Sequence, residues 1–152
     1  MLMREMIKKI LVAIDGSEHA EKALDFALDL AERYSAQVTI LNVFQMPTSI
    51  YFGEPPMYPV ALNNLYDELK SAHHKMLSKA LERAKGLKPS LKISTELREG
   101  RPADQIVMAA EEGGFDLIVL GHRGLGKVKE FFLGSVSDRV ADEARCPVLI
   151  VK

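Results

Sequence analysis

The apolar positions of this chain change period from segment to segment, and the changes mark out its elements. Lys9–Ile14 (KILVAI) is a short β-branched run ending in Asp15-Gly16-Ser17, and it reads as a strand buried on both faces. Ala20, Ala23, Leu24, Ala27, Leu28, Ala31 and Tyr34 then recur at spacings of three and four, one face of a helix. Ser17 is placed to cap that helix, and Glu18 and Glu21 suit the positive end of its dipole. Gln37–Phe44 (QVTILNVF) is the second strand. Gln45–Val60 holds Pro47, Pro55, Pro56 and Pro59, which exclude a regular element and make it a long loop. Leu62–Lys85 is a long helical segment closed by Gly86. Lys92–Glu99 alternates apolar and polar, the mark of a half-buried strand. Pro102 suits the first turn of a helix that runs to Glu112 and is stopped by Gly113-Gly114. Phe115–Leu120 (FDLIVL) is the fourth strand, Gly121–Leu133 a glycine-rich connection, Gly134–Ala144 a short helix and Pro147–Val151 the last strand.

Strand and helix therefore alternate from end to end. Alternation of this kind predicts an α/β fold, an open, mostly parallel sheet of five strands with helices on both faces. With no repeat and no linker, residues 1–152 read as a single domain, which is also what the length allows.

Composition narrows the function classes. Apolar residues make up 47% and charged residues 27%, an ordinary globular mix that argues against disorder. Twenty Lys and Arg against 21 Asp and Glu leave a net charge of −1, so no basic excess draws the chain to nucleic acid or to an acidic membrane surface. The longest apolar runs, such as Ile10–Ile14 and Leu117–Leu120, fall far short of the ~20 residues of a spanning helix. Charges interrupt the N-terminal stretch MLMREMIKKILVAID before it can serve as a signal peptide. The lone Cys146 can form neither an internal disulfide nor a cysteine cluster, which fits a reducing compartment. The expectation is a cytoplasmic protein with no membrane or nucleic-acid partner.

Open parallel sheets bind ligands outside the carboxyl ends of their strands, where the strand order reverses. The unusual residues of this chain fall at such ends: Asp15 after strand one, Asn42, Val43 and Phe44 closing strand two, and Gly121 after strand four. The stretch GHRGLGKVKEFFLGSVS carries Gly121, Gly124, Gly126 and Gly134, residues that let backbone N–H groups approach an anion. Gly134-Ser135 opens a helix, whose free N–H groups and dipole make a phosphate site. Ser135 and Ser137 offer hydroxyls, and Arg123 a fork-shaped positive charge. Taken singly, these residues also read structurally, the glycines as turn residues and Ser135 with Asp138 as a capping box. Asp15 likewise reads either as an acceptor for ribose hydroxyls or an adenine amine, or as a second helix cap. Together they place three phosphate-binding devices in one loop.

Two commoner motifs fail. Gly121-x4-Gly126-Lys127 resembles the magnesium-binding phosphate loop, but Val128 stands where its hydroxyl residue belongs. Lys129 stands where the last glycine of the dinucleotide motif G-x-G-x-x-G belongs.

The sequence resembles the universal stress protein family over nearly its whole length. The matching stretches are KILVAIDGSEHAEKALDFA, EGRPADQIV and DLIVLGHRGLGKVKEFFLGSVSDRVADEARCPVLIV. The family's nucleotide-binding branch carries G-2x-G-9x-G-(S/T), matched here by Gly121, Gly124 and Gly134-Ser135 with nine residues, Leu125–Leu133, between the last two glycines. The resemblance implies a Rossmann-like sheet of order 3-2-1-4-5, with ATP bound at the switch point between strands one and four. It implies that Ala13 and Asp15 lie beside adenine and ribose, that Val43 meets the adenine edge through its backbone, and that Leu120 and Gly121 flank the ribose. Arg123, Gly124, Gly134, Ser135, Val136 and Ser137 would surround the phosphates. It also implies a homodimer formed through the last strand, 147–151. The proline-rich loop Gln45–Val60 belongs to the family's variable part and inherits nothing; its Tyr51, Phe52 and Tyr58 either pin it to the body or make it a lid.

Hydrolysis needs a base or a group that positions water, beside charge stabilisation. Arg123 offers charge, but Glu130 and Asp138, the nearest carboxylates, read as a solvated face residue and a helix-cap partner. His19 and His122 read as surface or capping residues, and the adjacent His73 and His74 point in different directions on their helix. No preformed metal cage is expected, and magnesium or manganese would be held mainly through phosphates. The expectation is an adenine-nucleotide-binding regulator of stress adaptation, taking ATP, ADP or AMP, with slow ATP hydrolysis at most. A nucleotide-cleaving enzyme of related fold and a nucleotide-free dimeric interaction module are the alternatives.

Overall fold

Ile10, Leu11 and Val12, three successive residues of the first strand, have no exposed surface. Successive side chains of a strand point to opposite faces, so this strand is covered on both sides. It is the centre of the sheet. The computed structural model describes residues 6–47, 59–123 and 134–152. Its strands are β1 (Lys9–Ala13), β2 (Gln37–Phe44), β3 (Ile93–Glu99), β4 (Leu117–Gly121) and β5 (Val148–Val151). Its helices are α1 (Glu18–Tyr34), α2 (Pro59–Leu87), α3 (Pro102–Gly113) and α4 (Ser135–Glu143). The five strands are all parallel in the order β3-β2-β1-β4-β5, the single-domain α/β architecture expected.

Two cores flank the sheet. On one face Ile10, Val12, Val38, Ile40 and Val119 meet α1 and the buried side of α2. On the other, Leu11, Leu41, Ile118 and Leu120 meet α3 and α4. Helix α1 buries the stripe read from its spacing, Ala20, Ala23, Leu24, Ala27, Leu28 and Ala31, while Tyr34 is half-buried at its edge. Ser17 is its N-cap, with Oγ accepting from the Ala20 N–H at 3.2 Å. Gly114 ends α3 with φ +62°, a left-handed conformation that glycine adopts without steric cost. No helix among the described residues is long and apolar enough to cross a membrane.

Strand and helix ends mostly fall within two residues of the sequence reading, β4 running Leu117–Gly121 and not Phe115–Leu120, and both ends of α2 differ. Helix α2 begins at Pro59, so Pro59 and Val60 belong to it and not to the loop; proline's missing N–H costs nothing in a first turn. At its other end the helix passes through Gly86 to Leu87. The role of the loop as brace or lid rests on residues 48–58, which lie outside the described residues.

Gly121 has a packing reason beyond turn geometry. A Cβ there would lie 2.8 Å from both the carbonyl carbon and the Cβ of His19, and 3.0 Å from the Ala20 nitrogen. Only glycine lets the first turn of α1 lie against the end of β4. Gly121→Val is expected to cost about 1–3 kcal/mol through overpacking. At ~2–4 °C per kcal/mol this lowers the Tm by about 2–12 °C in a thermal melt.

Candidate functional site

The chain leaves β1 for α1 on one face of the sheet and leaves β4 for α4 on the other. Beside each other in the sheet, β1 and β4 therefore part at their carboxyl ends, which opens a crevice at the switch point. Ala13 of β1, Leu41 and Val43 of β2 and Leu120 of β4 supply the apolar floor. Asp15 and Ser17 stand at its β1 end, Pro102 and Ile106 come from α3, and Gly121, Arg123 and Gly134–Ser137 close the β4–α4 side. The cavity is about 200 Å³, below the ~300 Å³ at which ordinary ligand pockets begin. A ligand larger than the cavity would fill it with one part and extend from its mouth with the rest.

Ala13, Asp15, Val43, Leu120, Gly121, Arg123, Gly134, Ser135, Val136 and Ser137, named from the sequence, all line this one cavity. Gly124 and Glu130 lie outside the described residues. Missing from the sequence reading of the site were Ile14, Ser17, Ala20, Leu41, Pro102 and Ile106 among the lining residues. Leu41 was within reach, since it shares its strand face with Val43 at the period of two. Ile106 carries no chemical mark that separates it from a core residue of α3.

Local hydrogen bonding settles several of the alternatives. Asp15 is not the cap of α1. Its Oδ1 accepts from the Ser17 N–H at 2.9 Å, closing the turn before the helix. Oδ2 has no hydrogen-bond partner among the described residues. Gly134 is the N-cap of α4 and provides no side-chain cap, so the Ser135–Asp138 capping box is not made. The first-turn N–H groups of α4, which have no partner within the helix, adjoin the cavity. Ser137 is 2% exposed, and its hydroxyl donates to backbone carbonyl oxygens, His122 at 2.8 Å or Gly134 at 3.0 Å. Its hydrogen is thus committed to fastening α4 to the end of β4, and the hydroxyl-donor role expected of it passes to its main chain. Ser135 is exposed.

His122 is buried, not the surface residue expected. Its ring lies 6.1 Å from that of His19. Burial, then the positive charges of Arg123, Lys152 and His19, push its pKa below the usual histidine value. In the unfolded chain the ring takes up its proton near pH 6.5. Its contribution to stability is therefore present above that pH and lost as the pH falls through the lower, folded value. Melts at pH 7.5 and pH 5 are expected to show a fall in Tm that His122→Gln reduces. No group of three or more His, Cys, Asp or Glu side chains among the described residues is placed to hold a metal ion.

The arrangement combines an apolar floor, a carboxylate at one end and an anion-attracting helix terminus at the other. Comparison with known proteins adds the lineage. Residues 6–152 match the model of the universal stress protein family. The chain is 39% identical over 150 residues to universal stress protein YxiE of Bacillus subtilis, covering 97% of this chain and 100% of the relative. The structure superposes on universal stress protein UspA from Lactobacillus plantarum with a TM-score of 0.79 at 27% identity, covering 96% and 98% of the two chains. It superposes on the universal stress protein from Archaeoglobus fulgidus in complex with dAMP with a TM-score of 0.60 at 26% identity, covering 97% and 99%. The chain belongs to the universal stress protein family.

Proposed function

We propose that this protein binds an adenine nucleotide, ATP foremost, in the crevice between β1 and β4, and acts as a cytoplasmic regulator of stress adaptation. The observation that carries the reading is that the side-chain-uncapped N-terminus of α4 borders the same cavity as the Asp15 carboxylate and the apolar floor. The dAMP complex of the Archaeoglobus fulgidus relative supports the ligand class. The base lies on the floor, beside Ala13 and the Val43 backbone. Asp15 takes ribose hydroxyls, with Leu120 and Gly121 flanking the sugar. Arg123, Gly124 and the N–H groups of Ser135, Val136 and Ser137 take the phosphates, for which an uncapped helix terminus is suited. A divalent ion, magnesium or manganese, enters with the phosphates, since these residues include no ligand set of their own for it.

Among the described lining residues Asp15 is the one carboxylate, and the reading assigns it to the ribose. Turnover is therefore expected to be slow at most. Calorimetric titration of the purified protein with ATP and magnesium tests the reading: saturable one-site binding supports it, and no heat of binding overturns it. Rapid phosphate release well above that of a Gly134→Val control would favour an enzyme instead.

The protein forms a homodimer through β5 in this reading. Ile118 N–H donates to Pro147 O and His122 N–H to Val151 O, so these residues of the segment face β4. Groups of alternate residues, Val148 and Ile150, point to the open edge of the sheet, where a second copy can pair. Light scattering is expected to give twice the 16.9 kDa chain mass; a mass of one chain would overturn this interface.

A further inference from the structure

Helix α2 reaches the candidate site through one buried side chain. Asn42, 1% exposed, sits on β2 beside Val43. Its Nδ2 donates to the Ile14 carbonyl oxygen at 2.7 Å, and its Oδ1 lies 2.5 Å from Nδ1 of His73 on α2. The chemistry fixes the direction of both bonds. A carbonyl oxygen only accepts, so the amide nitrogen of Asn42 must face Ile14 and its oxygen must face His73. His73 then donates from Nδ1. Burial holds the pKa of His73 below the usual histidine value, which favours the uncharged ring, and in that ring this bond selects the Nδ1–H tautomer.

The Ile14 carbonyl and the Asp15 N–H belong to one rigid peptide plane. Holding that oxygen holds the orientation in which the chain enters Asp15. The same turn of α2 comes close a second time: Met76 Sδ lies 3.7 Å from Asn42 Nδ2, and its methyl would stand 3.2 Å from a Cβ built on Gly16. His73 and Met76, three residues apart on one helix face, thus flank the two neighbours of Asp15, His73 acting through Asn42 and Met76 standing beside Gly16. The His73 ring is also steadied by Phe44, with centroids 5.6 Å apart.

Resting on the reading of Asp15 as a ribose ligand, we propose that Asn42 and His73 are positioning residues for Asp15, and that through them helix α2 responds to the nucleotide. The coupling is reciprocal: whatever fixes Asp15 for the ligand is in turn fixed by the ligand.

Two variants separate the relay from simple packing. His73→Phe keeps a ring on Phe44 and removes the Nδ1 donor, whereas His73→Asn keeps a donor at that position and removes the ring. ATP affinity by calorimetry is expected to fall about three- to tenfold in His73→Phe and to stay at the wild-type value in His73→Asn. A nitrogen-15 spectrum of the wild-type imidazoles is expected to show His73 as the Nδ1–H tautomer, with its signals shifting as ATP saturates the protein. An Nε2–H tautomer, or His73 signals unmoved by saturating ATP, overturns the relay without recourse to any variant. If wild type and His73→Phe bind ATP equally, the relay fails and nucleotide binding stands. If the wild type binds no ATP, the nucleotide reading fails and the proposed coupling falls with it.

Discussion

Asp15→Ala is expected to weaken ATP binding by tenfold or more. A hydrogen bond to a charged group contributes about 1.5–3 kcal/mol, which corresponds to about 10- to 150-fold in affinity. The variant has two effects, because Asp15 Oδ1 also accepts from the Ser17 N–H and so braces the turn into α1. Asp15→Asn separates them: its amide oxygen can still accept from Ser17, but the charge facing the ligand is gone. Calorimetry on both variants, with thermal melts alongside, divides the loss. If Asp15→Ala binds ATP as tightly as the wild type, the carboxylate is only a brace for the turn and the ribose assignment is wrong.

Gly134→Val is expected to bring ATP binding below detection at concentrations that saturate the wild type. Reading the sequence alone, the added side chain simply fills the space of the phosphates. The structure gives a different route to the same result. A Cβ at Gly134 meets the His122 carbonyl oxygen at 3.2 Å and the Arg123 Cα at 3.3 Å. Those atoms belong to the segment that Gly134 N–H and the Ser137 hydroxyl fasten to α4. Valine's extra methyls press on backbone, which cannot give way as a flexible side chain can. The helix terminus is expected to shift against the end of β4, taking the N–H groups of Ser135, Val136 and Ser137 with it. A fall in stability of about 1–3 kcal/mol accompanies such overpacking. Circular dichroism establishes that the variant is folded before it is titrated, and unchanged affinity in a folded variant would refute the phosphate cradle.

Much of the fold was legible because each element carries its own period. The alanine and leucine stripe of α1 and the unbroken apolar runs of β1 and β4 follow from how a helix or a central strand must be covered. Strand order is different in kind. Nothing in the local pattern of Lys92–Glu99 says that this strand pairs with β2 and not with β4; that expectation came from the family resemblance, and the observed order agrees. The start of α2 was misplaced because proline in a loop and proline in a first turn look alike in sequence, and Gly86 because glycine can be tolerated inside a helix as well as end one.

The site divides along the same line. Asp15, Arg123 and the glycines stand out because polar and conformationally special residues at strand ends are unusual. Leu41, Pro102 and Ile106 did not, since an apolar side chain on a cavity wall has the same pattern as one in a core. Ser137 was legible as a position but not as a hydrogen-bonding partner, because its commitment to His122 depends on where β4 ends in space. The pairing of Asn42 with His73, 31 residues apart, has no local signature at all.

The most direct test is an amide proton–nitrogen spectrum of the protein recorded while ATP with magnesium is added. The account predicts saturable shifts at the amides of Asp15, Val43 and Ser135–Ser137, the carboxyl-end and helix-terminal groups that line one cavity. Shifts absent from these amides at ATP concentrations in the millimolar range, or confined to another part of the molecule, would contradict it.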